Sequence, residues 1–333
     1  MRWPSLRCLC PFSSRRRAAS TRTPVPFTDA RHDGYVLALW DVSLPRDILA
    51  TLFTRMKDDG ARHLTIPLFG CQSDPRSADV GSCEVASRVR AFDLARAGRD
   101  HGLTVGLLPI VVSKRWEWRG EFEPEDPAGW FASYTRWIVA LAREAREIGA
   151  SEFVVGTEFT RLYRRTKEWS RVLEAVRGEF SGPLVVTVNW SDLDVGFWGD
   201  ADAIGVSVYY PLDGRASPTQ ERLDASWGTI REKILRVARA HGRPVHVSEI
   251  GYPSMSHAAE RPWDGSTKAP PDPDLQARCF EAFRRAWEGD RDLVRVNVWA
   301  EGDPRTEEPR GFGTLGKPAE AVIRRMFQER ASP

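Results

Sequence analysis

The chain has 333 residues, 41% of them hydrophobic, which is enough to bury a large core. Its 48 basic and 46 acidic residues are largely intermixed and leave a net charge of +2, so bulk charge argues against a nucleic-acid or anionic-membrane partner. No run is long and apolar enough to span a bilayer.

The N-terminus departs from this balance, with arginines at 2, 7, 15, 16, 17 and 22 and no acid before Asp29. Residues 1–26 lack the apolar core of a secretory signal. Residues 1–30 therefore read as a disordered or mis-started basic leader outside the fold, and residues 31–333 as one domain. The compartment is left unassigned.

From Tyr35 onward, short Val/Ile/Leu-rich runs alternate with longer amphipathic ones. The spacing predicts strands at Tyr35–Leu39, His63–Leu68, Thr104–Val111, Glu152–Gly156, Leu184–Val188, Ala203–Val208, Val245–Ser248 and Val294–Trp299. They alternate poorly between apolar and polar, as strands covered on both faces do. Helices are predicted at Pro45–Asp59, Cys83–His101, Ala128–Ile148, Glu168–Phe180, Gln220–His241, Asp274–Glu288 and Lys317–Arg330. Several of them stop at a glycine such as Gly60, Gly102, Gly149 or Gly242. The crossover Ser191–Asp202 is short, with room for one helical turn near Val195–Trp198. Eight strands alternating with helices point to an α/β fold, a (β/α)₈ barrel in a single domain with extended strand-to-helix loops. A doubly wound sheet is the alternative, but no G-x-G-x-x-G or P-loop follows the first strand.

Two glutamates sit at predicted strand tips. Glu158 ends Phe153-Val154-Val155-Gly156-Thr157-Glu158, and Glu249 lies in Val245-His246-Val247-Ser248-Glu249-Ile250-Gly251-Tyr252. A carboxylate is costly to desolvate, so one at the tip of a buried strand calls for a reason. In a parallel barrel those tips form the mouth, where active sites are built. A pair from the fourth and seventh strands could serve as acid and nucleophile on a sugar held between them. Such an acid stays protonated through burial and the neighbouring charge, and the nucleophile stays ionised through donors such as Tyr209. A structural salt bridge at each strand end is the competing reading.

Thirteen tryptophans are unusually many. Trp40, Trp116, Trp118, Trp190, Trp198, Trp263 and Trp299 stand beside polar residues, and as a set they suit a carbohydrate cleft, although packing accounts for any single one. Asp213, Glu301 and Asp303 read as solvated loop charges. Five cysteines form no metal spacing, and free or buried thiols are favoured over a Cys71–Cys83 bridge. The six histidines make no H-E-x-x-H, and no G-x-S-x-G elbow is present, so neither a metal, another cofactor nor a serine nucleophile is called for.

Five colinear motifs carry a resemblance over about residues 35–328. They are Ser133-Tyr134-Thr135-Arg136-Trp137-Ile138, Gly156-Thr157-Glu158-Phe159, Ala203-Ile204-Gly205-Val206-Ser207-Val208-Tyr209-Tyr210-Pro211-Leu212, Ser248-Glu249-Ile250-Gly251-Tyr252 and Gly316-Lys317-Pro318-Ala319. Together they resemble glycoside hydrolase family 113, retaining (β/α)₈ glycosidases known for β-mannanases. The resemblance implies Glu158 as acid/base, Glu249 as nucleophile, Tyr209 near the nucleophile or substrate, Trp299 as a sugar platform and Lys114 as a polar contact to sugar hydroxyls. Asn189-Trp190 and Trp40-Asp41, at strand ends, are further candidates to line the cleft. The expected partner is a carbohydrate substrate, with partner proteins unassigned. A catalytically silent carbohydrate-binding barrel and a transglycosylase are the alternatives.

Overall fold

A computed structural model describes residues 22–27, 32–39, 43–83, 85–266, 268–306 and 308–331. Its strands are β1 Gly34–Leu37, β2 His63–Gln72, β3 Gly81–Ser82, β4 Thr104–Ser113, β5 Glu152–Thr157, β6 Leu184–Asn189, β7 Ala203–Ser207, β8 Val245–Ile250 and β9 Leu293–Glu301. The helices are α1 Arg46–Asp58, α2 Val85–Asp100, α3 Pro127–Glu147, α4 Thr166–Arg177, α5 Gln220–His241, α6 Pro273–Ala286 and α7 Pro318–Ala331.

The sheet runs β1-β9-β8-β7-β6-β5-β4-β2 and closes through β1 on β2, all parallel, which makes it an eight-stranded (β/α)₈ barrel. β3 is an antiparallel appendage on the end of β2, through Gly70–Ser82 and Cys71–Gly81. Cys71 and Cys83 are joined there by a disulfide, with Cα atoms 4.9 Å apart. That corrects the preference for free thiols: the short β2–β3 pairing brings together two cysteines twelve residues apart. The β6–β7 crossover is also corrected. It forms no helix: residues 196–200 make a turn, with Asp200 N–H on the Phe197 carbonyl at 2.9 Å, and Trp198 is buried with its indole N–H on the Leu193 carbonyl at 3.0 Å.

Most apolar burial lies between barrel and helices. α3 shows how the sequence produces it: Asp126 caps Gly129 N–H at 3.0 Å, Pro127 opens the helix, and Trp130, Tyr134, Trp137, Ile138 and Leu141 recur on one buried face. Trp130 and Tyr134 stack with centroids 4.7 Å apart. At the opposite end of α5, Gly242 takes φ +59, a left-handed cap that glycine adopts without strain.

Inside the barrel, at the end where the strands begin, lies a polar layer. Glu152 receives Arg295 Nε at 2.9 Å and His246 Nε2 at 2.8 Å, with His63 Nε2 at 3.4 Å. Burial works against ionising Glu152, yet Arg295, with His246 and His63 beside it, holds its carboxyl well below the usual range. Gly106 makes room for this layer, since a Cβ there would lie 2.9 Å from both the Glu152 and His63 side chains. Residues 22–27, assigned above to a leader outside the fold, cover this end. Phe27 is buried against His246 with centroids 6.0 Å apart, and Arg22 pairs with Asp202 at 2.5 Å.

Candidate active site

The opposite end, where the strands finish, carries the glutamates. Glu158 follows β5 directly, and its N–H is held by the Thr187 carbonyl of β6 at 2.8 Å. Its backbone adopts φ +54, a left-handed conformation unusual for a residue with a Cβ and one that concentrates at functional positions. Glu249 lies within β8, where Val208 N–H on its carbonyl (2.8 Å) ties it to the neighbouring strand. Both side chains are buried, at 5% and 3% exposure, yet both line one cleft of about 680 Å³.

The two carboxylates have different partners. Glu158 Oε2 accepts from Arg119 Nη2 at 2.9 Å and, more weakly, from Trp118 Nε1 at 3.4 Å. Glu249 Oε2 accepts from the Tyr209 hydroxyl at 3.0 Å, while its Oε1 is buried and accepts from no neighbour among the described residues. Burial first, and then the charge of Glu158, push Glu249 up to about 8, against the opposing pull of Arg119 and Tyr209. The sequence reading placed the raised pKa on Glu158. The structure raises Glu249, the expected nucleophile, through its burial and the nearby Glu158 charge. Tyr209, itself buried beside both charges, is raised well above its ordinary value and stays a neutral donor.

The other candidates divide. Asn189, Trp190 and Trp299 line the cleft; Trp40 and Asp41 lie outside the described residues. Lys114 is exposed and does not line it. Of the flagged tryptophans, Trp116, Trp118 and Trp263 also face the cleft and are 66%, 42% and 48% exposed, whereas Trp198 belongs to the core. Trp263 stacks on Trp190 at 5.9 Å and 19° between planes, a flat aromatic surface of the kind on which a pyranose packs. A cis peptide joins Trp299 to Ala300. Glu301 is not a solvated loop charge. It is buried, raised to about 7 by that burial, and accepts from Thr314 N at 2.7 Å and Oγ1 at 2.6 Å. Asp213 is likewise buried and pairs with Arg222 at 2.5 Å and Arg215 at 3.2 Å.

Arg119, Phe69 and Phe312 line the cleft without having been expected. The density of Trp116-Glu117-Trp118-Arg119 just past a strand end was the available signal for Arg119. Phe312 comes from the long loop after β9, where spacing carries no information. Among the described residues no cluster of His, Cys, Asp and Glu is arranged to hold a metal, and no helix is long and apolar enough to cross a membrane.

The profile of Glycoside Hydrolase Family 113 matches residues 47–300. The chain belongs to glycoside hydrolase family 113. It is therefore a glycoside hydrolase, and a carbohydrate is its substrate. Among solved structures it is similar to the GH113 β-mannanase AaManA from Alicyclobacillus acidocaldarius in complex with ManMIm. That likeness has 25% identity and a TM-score of 0.78 over 94% of this chain and 100% of that one. A GH113 β-1,4-mannanase (21% identity, TM-score 0.76, 90% and 99% coverage) shares the fold. So does a β-D-glucuronidase from Dictyoglomus thermophilum (15%, 0.63, 91% and 51%). A search of curated proteins found no match.

Proposed function

We propose that this family member is a retaining hydrolase of a β-linked, mannan-type polysaccharide or oligosaccharide, with the barrel and the residues 22–27 that cover its end as its catalytic unit. Glu158 is its acid/base and Glu249 its nucleophile. The observation that carries the reading is the pair itself: two buried glutamates from β5 and β8, facing one aromatic cleft, each with its own donor. Mannan is supported by the likeness to the β-mannanase from Alicyclobacillus acidocaldarius.

Glu249, pushed up to about 8 by burial and then by the Glu158 charge, holds a proton in the free enzyme at neutral pH. The reactive form has that proton on Glu158 and a carboxylate at Glu249, steadied by the Tyr209 hydroxyl. Glu249 then attacks the anomeric carbon while Glu158 gives its proton to the departing glycosidic oxygen. The glycosidic C–O bond breaks and a glycosyl ester forms. In the second half Glu158, now ionised, takes a proton from water, whose oxygen displaces Glu249 from the anomeric carbon.

The test is Glu249→Ala on an activated aryl β-glycoside. Turnover is expected to fall to near background and to recover with azide, giving a glycosyl azide of inverted configuration. Turnover near that of the unmodified enzyme in Glu249→Ala, or in Glu158→Gln with an unactivated substrate, removes the assignment.

A further inference from the structure

Arg119 is held more firmly than a cleft-facing arginine needs to be. It opens a short 3₁₀ turn, Arg119–Glu121, just past β4, and that turn is fastened to the segment around Glu158 at several points. Arg119 Nε donates to the Thr157 carbonyl at 3.1 Å while Nη2 donates to Glu158 Oε2. Arg161 N–H donates to the Gly120 carbonyl at 3.1 Å, and Arg161 Nη1 pairs with Glu123 at 2.7 Å. Phe122 packs near Phe159 with centroids 6.5 Å apart, and the Trp118 ring lies so close over Gly120 that a Cβ there would come within 2.4 Å of it.

The guanidinium thus bridges the backbone carbonyl before Glu158 and the carboxylate itself, a two-point hold that a planar fork provides and a lysine ammonium does not. With Oε2 occupied by Arg119 and Trp118, and Oε1 accepting no hydrogen bond among the described residues, a proton on this carboxyl belongs on Oε1. We propose that Arg119 is a positioning residue for the reaction: it fixes the rotation of the Glu158 carboxyl so that Oε1 is the oxygen that exchanges a proton with the glycosidic oxygen.

The inference rests on the acid/base assignment of Glu158. It also has an electrostatic side. Facing the Glu158 carboxyl are Arg119 past β4, Glu249 of β8, Tyr209 past β7 and Tyr163 from the turn after β5, with Glu117 lining the same cleft. Arg119 is the cation among them and draws Glu249 down, so its removal lets the pair keep its proton to higher pH.

The experiment compares kcat/KM for two aryl β-glycosides of one sugar, a phenyl glycoside that needs acid assistance and a 2,4-dinitrophenyl glycoside that does not. It uses Arg119→Gln, Arg119→Lys and Glu158→Gln in the full chain. Arg119→Gln is expected to lose about 100-fold on the phenyl substrate, the scale of an ångström of misplacement, and only a few-fold on the dinitrophenyl one. Its pH profile is expected to move upward. Arg119→Lys, which keeps the charge without the fork, falls between Arg119→Gln and the unmodified enzyme on the phenyl substrate. Equal losses on both substrates in Arg119→Gln, while Glu158→Gln still discriminates between them, overturn the role of Arg119 alone. Absence of discrimination in Glu158→Gln overturns the assignment beneath it. Should Arg119→Gln fail to fold, the same comparison in Arg119→Lys decides, and equal losses there are equally fatal.

Discussion

Replacing Glu249 by glutamine is expected to make the protein more stable while making it inactive. A carboxyl whose folded pKa is raised is one on which the native chain keeps a proton that the unfolded chain releases. Its cost is absent below the unfolded value near 4.5, grows as pH rises toward the folded value of about 8, and is constant above that. Between 4.5 and pH 7 the linkage amounts to about 3 kcal/mol at about 1.4 kcal/mol for each pH interval of one. The glutamine amide carries no such cost and can still accept from Tyr209, 3.0 Å from the present carboxyl oxygen. At about 2 °C per kcal/mol for a chain of this size, Glu249→Gln should raise Tm by about 6–8 °C at pH 7.5 and by less than about 1 °C at pH 4.5. Thermal melts of both proteins across that range measure the difference directly. A lower Tm at pH 7.5, or a difference that does not grow with pH, would refute the reasoning and favour a structural carboxylate.

Tyr209→Phe removes one donor to Glu249, a hydrogen bond to a charged group worth about 1.5–3 kcal/mol, so kcat/KM at pH 7 should fall about 10- to 100-fold with the pH profile displaced upward. An undisplaced profile contradicts it. Arg295→Met strands Glu152 in the barrel interior and should cost about 3–5 kcal/mol in urea denaturation; the double change Arg295→Met with Glu152→Gln should recover part of that. Recovery of nothing would show that the pair is not coupled. Reducing Cys71–Cys83, which closes a loop of twelve residues, should lower stability by about 2–3 kcal/mol, and an unchanged urea midpoint under reductant would count against that bond.

The barrel was legible because its signal is repetitive. Strands such as Val245–Ile250 are short and buried on both faces, and helix ends such as that at Gly242 carry a left-handed glycine. The tips holding Glu158 and Glu249 were legible for a related reason, because a carboxylate closing a buried strand violates the local pattern. What periodicity could not supply was partnership across the mouth. Arg119 follows two exposed tryptophans and a glutamate, and in sequence it reads as one more polar loop residue; only the folded chain brings it to Thr157 and Glu158. Glu301 looked like solvent-facing charge because the loop returning Thr314 to it is thirteen residues further on. Phe27 looked like part of a tail because its contact, His246, lies on the far side of the chain.

The central claim is that the Glu249 carboxylate becomes covalently bonded to the sugar. Incubation with a 2-deoxy-2-fluoro β-mannosyl or β-mannobiosyl fluoride, followed by peptide mass spectrometry, tests it most directly. The account predicts time-dependent inactivation and a single glycosyl increment on the peptide containing Glu249. An increment on any other residue, or an unlabelled enzyme that releases inverted product from substrate, would contradict it.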